Sequence, residues 1–136
     1  MDHPRIGIFT IGKRMPGAPI ATFRLVFSGS HVTGSGEVTQ ATNPPLRIET
    51  YVVGTFTEIV WGADAQLIIA LTGHKYPTVM PPDPVNATCT IALDTENVGK
   101  GPVKSVASLA YLDPNGSWKE LRDQPAAVTW LPLPEQ

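Results

Sequence analysis

Charge is scarce in this sequence. Asp, Glu, Lys and Arg make up 16% of its 136 residues, against about a quarter in an average soluble domain. The ten basic side chains are scattered, with Lys13-Arg14 the one adjacent pair, and twelve acidic ones leave a formal charge of −2. Binding to nucleic acid draws its non-specific affinity from clustered Lys and Arg that release counterions. That footprint is missing, so nucleic acid is excluded as a partner, and an anionic membrane surface fails for the same reason.

Cysteine and histidine are equally sparse. Cys89 stands alone, so an internal disulfide is ruled out and stability has to come from packing. Within Ala87-Thr88-Cys89-Thr90-Ile91 it reads as a small buried hydrophobe, not a reactive thiol. His3, His31 and His74 are too far apart in the chain to form a local ligand pattern, and no metal or other cofactor is expected. Apolar runs are short, so a membrane-spanning helix is excluded. The start, Met1-Asp2-His3-Pro4-Arg5, lacks a secretory apolar region, which sets the expectation of a soluble, cytoplasmic protein. On that expectation the sequons at Asn86 and Asn115 carry no glycan.

Uninterrupted helix-forming sequence is absent too. Fourteen prolines and twelve glycines break the chain so often that no helix beyond two or three turns fits. Bundles, coiled coils and Rossmann-type α/β domains are thereby excluded. What is present is β-branched: Ile, Val and Thr account for 35 residues, and such stiff side chains favour strands. Apolar and polar residues alternate clearly in Ile20–Ser28, where Ala21, Phe23, Leu25 and Phe27 share one face. Leu46, Ile48, Thr50 and Val52 do the same, with Arg47, Glu49 and Tyr51 opposite, as do Cys89, Ile91 and Leu93. Further strands are predicted over 5–13, 31–39, 55–61, 66–72, 103–112, 117–122 and 127–131. Gly34 and Gly36 imply a bulge, a bend or a closely packed neighbour. Asp113-Pro114-Asn115-Gly116 is the strongest hairpin signal. Residues 74–86 form a proline-rich loop, and 132–136 is predicted to fray. The expected fold is therefore a single all-β domain, an antiparallel β-sandwich or partly closed β-barrel of nine to ten short strands.

Two segments, Met15-Pro16-Gly17-Ala18-Pro19 and the run from Gly34 to Leu46 (GSGEVTQATNPPL), resemble a family of small bacterial proteins classed as a domain of unknown function, the 1842 family. The resemblance continues past Gly54 and Phe56, through Thr72-Gly73 and Tyr76-Pro77, to Asn115-Gly116-Ser117-Trp118. It implies a bacterial origin and one β domain. It carries over no catalytic residue, cofactor or site.

No nucleophile elbow and no phosphate-cradling loop is present. Paired carboxylates could serve glycoside hydrolysis, but of Glu37, Glu49, Glu58 and Asp64, Glu49 and Glu37 read as solvated and Asp64 as a turn former, with Arg47 poised to pair with Glu49. Aromatic placement points elsewhere. Tyr51 and Trp118 sit on polar strand faces, and large rings offer contact area at low entropic cost. Together with His74 and Tyr76 at the mouth of the proline-rich loop, they are the candidate binding residues. Trp61 and Trp130 read as packing residues. The leading reading is a non-catalytic module that binds a protein or small glycan. Its rivals are an enzyme built around His74 with Glu58 or Asp64, and a structural protein self-associating through a strand edge.

Overall fold

The computed structural model describes residues 5–13, 15–42, 44–61, 64–75, 84–94 and 105–131. Among these, eight strands form: β1 (Arg5–Ile11), β2 (Ile20–Ser28), β3 (His31–Gln40), β4 (Leu46–Trp61), β5 (Asp64–His74), β6 (Val85–Asp94), β7 (Ser105–Leu112) and β8 (Trp118–Leu131). Each pairs antiparallel with its neighbours in the chain, and β1 also pairs with β8, from Ile6 opposite Leu131 to Ile11 opposite Ala126. The result is a closed barrel in sequential order. Among the described residues no helix is long and apolar enough to cross a membrane.

The all-β, antiparallel expectation holds, but the sandwich of nine to ten strands does not. Two pairs of expected strands are single strands. Residues 46–52 and 55–61 join through Gly54 into β4, and 117–122 and 127–131 join through Asp123 and Pro125 into β8. Gly54 does not turn the chain. It is an inward position where β4 and β5 come so close that a Cβ would stand 1.9 Å from the Ala70 carbonyl oxygen. Gly34 of β3 does the same against the Arg24 carbonyl of β2, also at 1.9 Å, and Gly36 lies under the Phe23 ring. Of the readings open for these glycines, the close neighbour is the one observed. Such tight approaches let strands coil sharply enough to close an eight-stranded ring. In β8 the interruption is a bulge. Ala107 faces Gln124 and Leu109 faces Leu121, leaving Arg122 and Asp123 opposite Ser108 alone, with Asp123 at φ 53°. Pro125, which has no N–H to donate, still serves the ladder as an acceptor, its carbonyl taking the Gly12 N–H.

Alternation puts Phe9 and Ile11, Phe23, Leu25 and Phe27, Val32 and Val38, Val52, Leu67 and Ile69, and Ile91 and Leu93 inside, all fully buried. Eight strands enclose a space just wide enough for side chains to fill. One end is plugged by rings: Phe27 packs on Phe9, Phe56 and Trp130 at 5.3–6.0 Å between centroids, and the Arg5 guanidinium lies 5.4 Å from the Trp130 ring. Trp130 is thus a packing residue, as expected; the side chain of Trp61 lies outside the described residues. Nearer the other end, two buried polar residues satisfy each other. Thr50 donates to Asn86 Oδ1 at 2.7 Å, and Asn86 Nδ2 donates to the Glu49 carbonyl at 3.0 Å. This link ties β4 to β6 beside a register shift at Gly73/His74. With its amide so engaged and only 4% of the residue exposed, Asn86 is closed to glycosylation.

Candidate functional site

The end opposite the ring plug carries the turns at Met15–Ala18 and Asp113–Ser117. Chain direction alternates from strand to strand, so the ends of β1, β3, β5 and β7 and the starts of β2, β4, β6 and β8 all lie there. Met15-Pro16-Gly17-Ala18 closes a turn with Pro16 leading and Gly17 at φ 80°, the Ala18 N–H donating to the Met15 carbonyl. Gln40 Nε2 ties that turn to β3 by donating to the Gly17 carbonyl at 2.9 Å. Across the mouth, the Gly116 N–H donates to the Asp113 carbonyl, and Gly116 at φ 86° supplies the positive φ expected of Asn-Gly. Asp113 Oδ1 accepts from the N–H groups of Asn115 and Ser117, so this hairpin tip is held by its own side chain.

Between the 41–45 link and this hairpin lies a cleft of about 380 Å³. Gln40, Thr42, Pro44, Pro45 and Leu46 line one wall, and Tyr111, Asp113, Pro114, Asn115 and Lys119 the other. Tyr111 is 3% exposed, and burial, reinforced by the Asp113 carboxylate, raises its ionisation above the ordinary phenol range. It therefore stays a neutral hydroxyl at physiological pH. Lys119 Nζ stands 3.9 Å from Asp113 Oδ2, a loose contact between an exposed ammonium and a largely buried carboxylate. The mouth thus combines exposed proline faces with an ammonium, a carboxylate and side-chain amides. Barrel mouths with such mixed lining are common places for small-ligand sites.

The candidates drawn from the sequence are only partly brought together. Tyr51 and His74 are direct cross-strand partners on the outer wall, rings 5.6 Å apart and both half-buried. Trp118, 49% exposed, opens β8, with three strands between it and β4 in either direction around the barrel, so it shares no surface with Tyr51. Tyr76 lies outside the described residues, as do 77–83 of the proline-rich loop. The pairing of His74 with Glu58 or Asp64 has no geometric basis. Glu58 is seven residues along β4 from the partner of His74, and Asp64 ten along β5, or about 23 and 33 Å at ~3.3 Å per residue.

Glu37 and Glu49 do face each other, on β3 and β4. Arg47 occupies the space between them, 3.0 Å from Glu37 and 3.1 Å from Glu49, which offsets their repulsion and makes the expected solvated ion pair a three-membered one. Cys89 is buried and its thiol is pushed up to about 12 by desolvation, so it is the inert hydrophobe the sequence implied. No three His, Cys, Asp or Glu residues converge on a metal-sized site among the described residues.

Sequence reasoning missed the mouth residues Tyr111, Asp113 and Lys119. One signal was available: Lys119 shares the inward face of its strand with Leu121, an unusual place for a lysine unless that face opens to water.

The architecture is that of a closed, up-and-down antiparallel barrel with a packed interior. The family model described as Domain of unknown function (DUF1842) matches residues 6–118, and the chain belongs to that family. Among curated proteins none matches it.

Proposed function

We propose that the protein is a non-catalytic binding module whose mouth recognises a small glycan. The observation that carries this reading is the mouth cleft. It offers the exposed apolar faces of Pro44 and Pro45, with the otherwise buried Tyr111 among its lining, beside the polar groups of Lys119, Asp113 and Asn115. A sugar ring presents the matching surface, apolar C–H faces edged by hydroxyls. The filled interior supports a rim site over a deep chamber, and the hydrogen-bonded tips on either side support a site shaped in advance of its ligand. Tyr51 with His74, and Trp118 on the far side, are flanking contacts for a longer chain.

A glycan array followed by calorimetry tests it. The wild type is expected to retain at least one glycan, and Lys119→Ala and Tyr111→Phe each to weaken it about tenfold, the loss of one hydrogen bond to a charged or buried group, with unchanged circular dichroism. Retention of no glycan, affinity indifferent to both substitutions, or selective capture of peptides from a parallel library overturns it.

A further inference from the structure

β8 changes neighbours along its length, its first half laddered to β7 and its second half to β1. Its ladder with β1 covers Ala126 to Leu131, whereas Trp118 to Leu121 pair with β7 alone. The last bond on the β1 side is the one from the Gly12 N–H to the Pro125 carbonyl. Beyond it the 12–19 link leans away towards β3, where Gln40 holds it. The bulge at Asp123 marks the point where β8 leaves the β1 side, and a non-glycine residue held at positive φ is a local cost that the fold retains there. The result, among the described residues, is a short uncovered strand edge. Trp118, Lys119, Glu120, Arg122 and Asp123 on it are all exposed.

Its charge order is self-complementary: Lys119 (+), Glu120 (−), Leu121, Arg122 (+), Asp123 (−). Reversed about Leu121, every charge meets its opposite. We infer that this edge pairs antiparallel with the same edge of a second copy of the chain, about a twofold axis through Leu121. In that register Glu120 and Arg122, 3.1 Å apart within one strand, each face their opposite on the second copy, twice by symmetry, while the bulge takes Asp123 out of the regular alternation. A slip to a centre at Glu120 would instead set two carboxylates face to face. Opposite charges directly across an antiparallel pair stabilise it and like charges destabilise it, so the pattern selects both partner and register. The joined edges make β7 and β8 of two barrels one continuous sheet, an isologous contact that closes on itself. Trp118 lies at each end of the seam and loses water contact. Lys119 and Trp118 belong to both readings, but the association test turns on Glu120 and Arg122, which line no part of the mouth cleft.

Sedimentation equilibrium of the full chain from about 1 µM to about 1 mM tests it, a range suited to a small interface. The expected result is a reversible monomer–dimer equilibrium that weakens with salt. Arg122→Glu is expected to weaken association about tenfold or more, and Glu120→Arg combined with Arg122→Glu to return it to within about threefold of wild type. Glu120→Lys creates the opposite like-charge pair and repeats the measurement with Arg122 intact. All four side chains are exposed, and unchanged circular dichroism confirms folding. A monomer at every concentration, or a dimer indifferent to the single swaps, overturns the inference, as does a double swap no better than Arg122→Glu.

Discussion

At the scale of single residues, burial decides what each polar group can do. The Cys89 thiol, desolvated inside the barrel, ionises near 12 where its ordinary value is 9.0. The folded state therefore favours the neutral thiol. That contribution is complete below pH 9 and is lost progressively as the pH climbs towards 12, by about 1.4 kcal/mol per unit across the window. Urea unfolding of wild type and Cys89→Ala at pH 7, 9 and 10.5 checks this. At pH 7 the variant is expected to be less stable by about 1–2 kcal/mol through lost packing, and the gap is expected to narrow at pH 10.5. A thiol reagent is expected to leave the native protein unlabelled and to react only in denaturant. Tyr111 is shifted in the same direction by burial, so its contribution too is lost at high pH, in both proteins alike.

At the scale of strands, alternation was readable and interruption was not. Phe23, Leu25 and Phe27, and Cys89, Ile91 and Leu93, announce their inward faces because a pleated ribbon has period two, and they are buried as that period requires. Gly54 and the Asp123–Pro125 stretch carry the same local signals as a turn. Whether a glycine ends a strand or lets two strands touch depends on the neighbouring backbone, which no local window contains. The touching case makes a sharp prediction. Gly34→Ala places a methyl group 1.9 Å from the Arg24 carbonyl oxygen, and Gly54→Ala does so against Ala70. Neither obstacle is a side chain that can swing aside. Each substitution is expected to cost more than about 3 kcal/mol, or to prevent folding, as measured by urea denaturation. Gly17→Ala, in open space within its turn, is expected to cost only about 1 kcal/mol through its positive φ.

At the scale of the whole molecule, most of the mouth was hidden in the sequence although its parts were in view. The Pro-Gly-Ala-Pro, Asn-Pro-Pro and Asn-Gly turns could each be read, but that they share one end follows only once an even, antiparallel order around a ring is known. Gln40 and Lys119 lie far apart in the chain and meet across the mouth because β1 and β8 pair. Tyr51 and Trp118, both outward as predicted, are separated by the same closure. The seam between the first and last strands also governs speed. Hairpins between successive strands form locally, but the β1–β8 ladder joins residues more than a hundred positions apart and must wait for the largest loop to close. Refolding in stopped flow is expected in the millisecond-to-second range of high-contact-order β proteins. Substitutions along the seam, such as Val128→Ala opposite Phe9, are expected to raise the unfolding rate more than they lower the folding rate. The seam has a consequence for biosynthesis. While the chain is still emerging from the ribosome, β1 has only β2 beside it, and Phe9 and Phe27 sit on an open, curling wall. The wall can be sealed only when β8 leaves the exit tunnel, so through nearly all of translation the nascent protein depends on chaperones, or on sheer speed, to keep those rings from other chains.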